Sequence, residues 1–201
     1  MNKKVIVIGA GGHGKVVAEI IALSGDEILG FLDDKKVESF DGFPILGTTQ
    51  DIGKWDCWYF PAVGNNHLRE QLMSIPVRWY TAIHPSAVVS ARSAVKEGTV
   101  IAAGAVVNPC SVIGRGVIIN TAASIDHDNV ICDFAHISPG AHLAGTVEIG
   151  KRCWIGLGAS IINNVLICDN TVVGAGSVVL HTIEHAGTYV GVPARAVVSG
   201  E

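Results

Sequence analysis

The amino-acid sequence predicts a small α/β domain over residues 1–82, followed by a parallel β-helix over residues 83–201. Two observations predict this order. A buried strand, a glycine-rich turn and a helix open the chain, and an aliphatic residue then recurs at every sixth position of its second half. A period of six fits neither the 3.6-residue period of an α-helix nor the two-residue alternation of a regular strand. It does fit short strands joined by tight turns.

The six-residue repeat runs from Ile83 to Val179 without an insertion. All its positions are aliphatic, and the residue two places earlier is never larger than Val or Asn. We therefore expect a prism whose interior takes one aliphatic and one small side chain per face. Gly and Asn are tolerated at the corners, where φ can be positive, and nine glycines are predicted to lie there. They are Gly104, Gly114, Gly116, Gly140, Gly150, Gly156, Gly158, Gly174 and Gly176.

The start of the chain has the order of a phosphate-binding turn. A strand over residues 5–8 leads into Gly9-Ala10-Gly11-Gly12-His13-Gly14, and a helix is predicted over residues 15–23. The free N–H groups at the start of such a helix bind phosphate. A second strand, residues 28–32, ends in Asp33-Asp34, at the distance where a carboxylate contacts a ribose or a base.

A third strand over residues 58–63 leads to Gly64, and a short helix is predicted over residues 68–73. These elements complete a Rossmann-like βα domain of about eighty residues. NAD fits the same features, but a dinucleotide usually needs a larger doubly wound sheet. A single nucleotide, such as that of a UDP-sugar, is therefore favoured.

A polar cluster interrupts the repeat around His127, which lies between Asp126 and Asp128. A carboxylate beside an imidazole stabilises the protonated ring and raises its basicity. Such a base suits the removal of a proton from an amine or hydroxyl that attacks a thioester.

Charge and composition argue against several other classes. The net charge is -4, and no run of Lys or Arg is present, so nucleic-acid binding is not expected. No apolar stretch approaches the roughly 20 residues of a membrane helix, and the N-terminus reads as a strand, not as a signal peptide. We expect a cytoplasmic protein without membrane insertion. The five cysteines are never spaced as Cys-x-x-Cys, which argues against a disulfide framework.

Motifs along nearly the whole chain resemble one family. They are Gly-Gly-His-Gly after the first strand, Phe31-Leu32-Asp33-Asp34, Val63-Gly64-Asn65-Asn66, Ile83-His84-Pro85, Asn120-Thr121, Asp126-His127-Asp128, Phe134-Ala135-His136-Ile137, Ala144-Gly145 and Gly191-Val192-Pro193-Ala194. The chain resembles the bacterial sugar-nucleotide N-acetyltransferases of the bacillosamine and perosamine pathways, often labelled sialic acid O-acetyltransferase-like. This family belongs to the hexapeptide-repeat acyltransferases. The resemblance implies a left-handed parallel β-helix with three hexads per coil, and a trimer with active sites between subunits.

The resemblance also implies roles for individual residues. His127 would be the general base, and Asp128 would raise its basicity. Acetyl-CoA would contact His136, Gly145, Leu157 and Ala175, with the Gly145 N–H near the thioester oxygen. The nucleotide-linked sugar would contact Gly11, Gly12, His13, Asp33, Asp34 and Gly64. Two positions depart from the family, which often has Ser in place of Gly11 and Gly in place of Ala175.

Spacing adds a further expectation. Residues 127 and 145 are one coil apart, so they should stack at the strand spacing of about 4.8 Å. His136 lies nine residues from each and should fall on another part of the triangle. We therefore expect an active site that takes His127 from one subunit and His136 from its neighbour.

The sequence thus predicts an acetyl-CoA-dependent N-acetyltransferase that acts by direct transfer, without a metal, on a nucleotide-linked 4-amino-deoxy sugar of bacterial glycan biosynthesis. UDP is the favoured nucleotide. An O-acetyltransferase acting on a sugar or on sialic acid remains an alternative. A zinc-dependent hydratase using His127, His136 and His142, and a non-catalytic nucleotide-binding protein, are less favoured alternatives.

Overall fold

The computed structural model describes residues 2–35 and 38–197. It confirms the predicted architecture, in which a Rossmann-like α/β domain precedes a parallel β-helix. The elements of the first part are β1 (Lys4–Ile8), α1 (Gly12–Leu23), β2 (Glu27–Leu32), β3 (Ser39–Phe40), β4 (Phe43–Gly47), a 3₁₀ turn (Thr49–Asp51), β5 (Trp58–Pro61), α2 (Asn66–Leu72) and β6 (Arg78–Trp79). Among the described residues, no helix has the length and apolar character that a bilayer crossing requires.

The sheet of the first domain has the strand order β3-β4-β2-β1-β5-β6. Strand β1 lies between β2 and β5, pairs in parallel with both, and has four fully buried residues at its C-terminal end. Strands β3 and β4 were not predicted, because Pro44 and the neighbouring glycines obscure an alternating pattern. Strand β4 pairs in parallel with β2, and β3 pairs antiparallel with β4.

Both helices begin earlier than predicted. Helix α1 starts at Gly12 and not at residue 15, because the Lys15 N–H already donates to the Gly11 carbonyl across the glycine turn. Helix α2 starts at Asn66 and not at residue 68. Its N-cap is Asn65, whose side chain accepts a hydrogen bond of 2.9 Å from the Leu68 N–H.

The second part of the chain consists of coils of three two-residue strands. Each of these strands ends on a repeat position, and each of those from Ala82–Ile83 to Ser160–Ile161 pairs in parallel with the strand 18 residues later, as in Val100↔Ile118. This confirms three hexads per coil. Strands β7 to β23 are Ala82–Ile83, Val88–Val89, Ala94–Val95, Val100–Ile101, Val106–Val107, Val112–Ile113, Ile118–Ile119, Ser124–Ile125, Val130–Ile131, His136–Ile137, His142–Leu143, Glu148–Ile149, Trp154–Ile155, Ser160–Ile161, Leu166–Ile167, Val172–Val173 and Val178–Val179.

The coils stack into three parallel sheets. Their orders are β25-β24-β22-β19-β16-β13-β10-β7, β23-β20-β17-β14-β11-β8 and β21-β18-β15-β12-β9. The two closing strands are β24 (Thr188–Val190) and β25 (Arg195–Ala196), which form an antiparallel pair at the end of the first of these sheets. We call the stack of coils the rod.

The interior of the rod has the predicted composition. From Ile101 to Val179 every aliphatic repeat position is buried. Ile83 is 37% exposed, because no further coil lies beyond the first one. From Thr99 onward the small residues of the second series are buried as well, and they include the polar side chains of Ser111 and Asn129.

The corners correct one expectation. A positive φ recurs at every sixth residue from Gly98 to Gly176, and most of these positions carry a residue other than Gly. Four of the predicted corner glycines lie outside this series: Gly114, Gly150, Gly156 and Gly174. They are required by close approach, since a Cβ atom on any of them would lie 2.5–2.7 Å from an atom of the next turn or strand.

Candidate active site

His127 lies at the corner between β14 and β15. Its Nδ1 atom is 2.8 Å from Oδ2 of Asp128, a residue with φ +59°. Because a carboxylate only accepts, Nδ1 of the neutral ring carries the proton and Nε2 carries the lone pair. The hydrogen bond to Asp128, and next the charge of Asp126, raise the pKa of His127 above its ordinary value. The ring is largely exposed, so a substrate can reach it.

Asp126 has a different contact from Asp128. Its carboxylate accepts hydrogen bonds from the His127 N–H at 2.8 Å and from Nδ2 of Asn108 at 2.9 Å. The Asn108 hydrogen bond and then the His127 N–H lower the pKa of Asp126. Asp126 therefore orders the backbone of the corner, whereas Asp128 bonds to the imidazole.

Gly145 lies one coil beyond His127 at the same corner, as the spacing predicts. The Thr146 N–H donates to the His127 carbonyl at 3.0 Å. A Cβ atom on Gly145 would lie 2.5 Å from Cε1 and 2.7 Å from Nε2 of His127. The imidazole thus lies directly against the Gly145 backbone. Within the described residues the Gly145 N–H has no hydrogen-bond partner, and the residue is buried beneath the His127 ring.

Two buried polar side chains support this corner from inside the rod. Asn129 donates to the carbonyls of Asp126 at 2.7 Å and Ala144 at 3.0 Å, and it accepts from the Val147 N–H at 2.8 Å. Ser111 donates to the Asp126 carbonyl at 2.7 Å. These contacts fix the His127 turn relative to the Gly145 turn. Sequence reasoning missed this function, although Asn was an unusual member of the small-residue series.

His136 lies on β16, on the side of the rod that faces the first domain. Its ring stacks on Trp154 at 6.0 Å between ring centroids and 10° between planes, and its Nε2 is 3.3 Å from Nδ2 of Asn120. Burial, and next the charges of Arg69 and His13, lower the pKa of His136 to about 3. The ring is therefore neutral at physiological pH and suits hydrogen bonding, not proton abstraction.

Three of the four residues assigned to acetyl-CoA line one cavity. His136, Leu157 and Ala175 surround a space of about 420 Å³, together with Trp154 and Gly156. Its walls are mostly apolar, which fits a long, narrow pantetheine chain. Gly145 lies apart from these three within one chain, at the His127 corner.

Asp33 and Asp34 line a second cavity, of about 290 Å³, where β1 and β2 end. Ligands of open parallel sheets bind at this edge. The Ala10 N–H of the glycine turn donates to Oδ2 of Asp33 at 2.8 Å, and Asp34 accepts from the Thr49 N–H at 2.8 Å. These hydrogen bonds order both carboxylates at the rim of the cavity.

The other residues assigned to the nucleotide-linked sugar are distributed around this edge. Gly11 and Gly12 are exposed at the start of α1, with no atom within 4 Å of a Cβ built on either. Gly64 lines a third cavity, of about 450 Å³, which it shares with His136 and Trp154. Thus Gly64 lies between the first domain and the rod.

His13 follows the exposed glycines and is partly buried. Its Nε2 atom is buried without a hydrogen-bond partner among the described residues, and burial followed by the charge of Arg69 lowers the pKa of the ring to about 4. Because the charges of His13 and Arg69 both act on His136, the three side chains lie near one another. The contact of His13 with the nucleotide-linked sugar stays a prediction.

The histidines of the hydratase alternative lie on different parts of the coil. His127 is at a corner, His136 is on one sheet, and His142 is on another, where its Nδ1 lies 2.8 Å from Oγ of Ser124. Within residues 2–35 and 38–197, no group of three metal-ligating side chains is arranged to hold an ion.

Known proteins are similar to parts of this chain or to nearly all of it. The family profile of the PglD N-terminal domain matches residues 4–75. The UDP-N-acetylbacillosamine N-acetyltransferase of Bacillus subtilis (strain 168) is 39% identical over 107 residues, which cover 48% of this chain and 50% of that protein. The match thus spans about half the length of this curated relative.

Solved structures match almost the entire chain. The acetyltransferase domain of PglB from Neisseria gonorrhoeae FA1090, in complex with acetyl coenzyme A, has a TM-score of 0.94 and 41% identity, covering 98% of this chain and 100% of that one. A mutant of the GDP-perosamine N-acetyl transferase from Caulobacter crescentus, in complex with CoA and GDP-perosamine, has a TM-score of 0.93 and 34% identity, covering 98% and 97%. The resemblance seen in the motifs is therefore confirmed, and the chain belongs to the family of β-helical sugar-nucleotide N-acetyltransferases.

Proposed function

We propose that this protein is an acetyl-CoA-dependent N-acetyltransferase that acts on a nucleotide-linked 4-amino-deoxy sugar. The observation that carries the proposal is the His127–Asp128 pair, whose imidazole lies against Gly145, a residue with an unpartnered N–H among the described residues. A base and an oxyanion donor side by side are what attack on a thioester needs. The complexes of the related PglB domain and perosamine transferase support acetyl-CoA and a nucleotide-linked amino sugar as substrates.

The proposed reaction is a direct transfer. The sugar amine attacks the thioester carbonyl carbon and forms the new C–N bond, while Nε2 of His127 takes a proton from the amine. Asp128 stabilises the imidazolium, and the Gly145 N–H donates to the developing oxyanion. The C–S bond then breaks, and the CoA thiolate leaves and takes the proton from the His127 imidazolium, which restores the neutral base. The products are CoA and the N-acetylated sugar nucleotide, and no acyl-enzyme forms.

This function is tested by CoA release in the presence of 4-amino sugars linked to UDP, GDP or dTDP. We expect acetyl-CoA-dependent release with the UDP-linked sugar, and a product whose acetyl group resists mild base, as an amide does. A base-labile acetyl group would identify an O-acetyltransferase. Absence of release with every acceptor would contradict the proposal.

We also propose that the protein works in the cytoplasm as a homotrimer whose active sites lie between subunits. His127 and the cavity lined by His136, Leu157 and Ala175 lie on different parts of the coil, which supports a site shared by two chains.

Mixed trimers test the shared site. Chains with His127→Ala and chains with His136→Ala should each be nearly inactive alone. After unfolding and refolding together, they should recover about a quarter of wild-type activity, because random assembly places two intact histidines at one interface in four. No recovery, with trimers confirmed by mass, would show that both residues act within one chain.

Asp33→Asn is expected to weaken binding of the nucleotide-linked sugar about tenfold, because a charged acceptor at the rim of the cavity is lost. Acetyl-CoA affinity should not change. Titration calorimetry with UDP and with acetyl-CoA measures both. The control is Asp41→Asn, which removes an exposed carboxylate paired with Lys15 on the same domain. Equal UDP affinity in both variants would contradict the assignment of Asp33.

A further inference from the structure

Arg69 of α2 is a buried charge without an acidic partner. Its side chain is 1% exposed, and among the described residues no carboxylate lies within ion-pair distance of it. Burial lowers its pKa to about 9, so the guanidinium remains protonated at neutral pH. An unpaired buried charge is costly unless every donor is satisfied. The hydrogen bonds of Arg69 therefore indicate which parts of the structure this side chain connects.

The guanidinium joins the first domain to the rod. On the domain side, Nη1 donates to the carbonyls of Val63 at 2.9 Å and Gly64 at 3.2 Å. On the rod side, Nε donates to Gly116 O at 2.6 Å and Nη2 donates to Phe134 O at 2.8 Å. A planar group with five donors can satisfy such diverging carbonyls, which neither Lys nor an apolar side chain can do.

A neighbouring side chain continues this pattern to the next coil. Asn66 accepts a hydrogen bond of 2.8 Å from Nη2 of Arg69, and it donates to Arg152 O at 2.9 Å. Residues 116, 134 and 152 are successive members of one corner column, 18 residues apart. The segment 63–69 therefore contacts three stacked coils through main-chain carbonyls.

Both ends of this connection belong to the candidate active site. Gly64 lines the cavity between the domain and the rod, and His136 lines the same cavity from β16. Phe134 lies two residues before His136, the first residue of β16. Arg69 thus fixes the loop after β5 against the turn that leads into His136.

We propose that Arg69 is a positioning residue for acetyl transfer, which holds the acceptor-binding loop 63–66 in a fixed place relative to the coil that carries His136. This inference rests on the proposed function, because it assigns the first domain to the amine and the rod to the thioester. A displacement of about 1 Å between two reacting groups can lower the rate about 10²-fold without abolishing the binding of either substrate.

The test is Arg69→Met with Arg115→Met as the matched control. Arg115 of the rod also contacts the first domain, through Met73 O at 3.2 Å, and it pairs with Glu97 of the rod at 3.0 Å, but it lines none of the three cavities. We expect Arg69→Met to lower kcat at least about tenfold, with the affinities for UDP and acetyl-CoA within about threefold of wild type. Arg115→Met should keep the wild-type kcat. Arg69→Lys should recover little, since one ammonium cannot reach carbonyls on both sides.

Equal kcat values in Arg69→Met and Arg115→Met would overturn the proposal, as would a loss of Arg69→Met activity caused only by weaker substrate binding. If Arg69→Met fails to fold, the Asn66→Ala variant tests the proposal in its place. It removes the contact with the third coil and should also lower kcat more than substrate affinity, and unchanged kcat would count against the proposal.

A readout independent of turnover separates this inference from the proposed function. Arg69 and His13 are the groups whose charges lower the pKa of His136, while His67 and Arg152 line the same cavity. NMR titration of the His136 ring should give a pKa of about 3 in the wild type. Arg69→Met should raise this pKa, and Arg115→Met should not. If the wild type releases no CoA, the proposed function is contradicted. If Arg69→Met leaves the pKa of His136 unchanged, the inference that Arg69 connects the loop to the His136 coil is contradicted as well.

Discussion

Replacing His127 by Ala is expected to lower kcat by about 10²–10⁴-fold, the usual contribution of a positioned general base. Acetyl-CoA affinity should remain near the wild-type value, because the ring is an exposed corner side chain. The control is His181→Ala, which removes another exposed imidazole, outside the cavities described above. Steady-state CoA release and titration calorimetry measure the two quantities. A His127→Ala variant with more than about a tenth of wild-type kcat would show that His127 is not the general base.

Asp128→Asn extends this prediction to the pH profile. The base acts when neutral, so kcat/KM rises with pH through the pKa of His127. The Asp128 hydrogen bond is the largest cause that raises this pKa above its ordinary value. Its removal should move the acid limb to lower pH and reduce the plateau, because the remaining base is weaker. An acid limb that stays in place would show that another group titrates.

Gly145→Ala is expected to lower kcat about 10²-fold, a loss comparable to that of an oxyanion donor. The added Cβ would lie 2.5 Å from Cε1 of His127, closer than two such atoms can approach. The ring must therefore rotate away from the position where it meets the amine. Because the ring is exposed, this movement costs little stability, and Tm should stay within a few degrees of wild type.

Gly187→Ala is the matched control. A Cβ at this position meets only the ring of Tyr189, at an ordinary contact distance of 3.7 Å. This variant should keep both kcat and Tm. If Gly145→Ala keeps full activity, the contact between His127 and Gly145 has no part in the reaction. If it loses Tm in proportion to activity, the effect is on folding.

The rod could be predicted from sequence because its information is local and repeated. A strict period of six fixes the inward position in every hexad, and the observed strands end where the aliphatic residues predict. The residues at the corners of the coil were harder to predict. A positive φ is set by the coil and not by glycine, so Asp128 and Phe134 adopt it as well.

The contacts between the two parts could not be predicted. Arg69 bonds to residues 47 and 65 positions further along the chain, and nothing in its own segment indicates these partners. The direction of the His13 side chain could not be predicted for the same reason. A motif gives its place in the glycine turn, but the direction of the side chain depends on how the domain packs on the rod. His127 and Asp128, by contrast, are sequence neighbours, and their pairing needed no long-range information.

The most direct test of the account is the distance between the acceptor amine and His127 in a crystal structure with CoA and a UDP-linked 4-amino sugar. We predict that the amine nitrogen lies within about 3.2 Å of Nε2 of His127, the reach of a hydrogen bond. An amine directed to a different side chain, with His127 more than about 5 Å away and no water between them, would contradict the account.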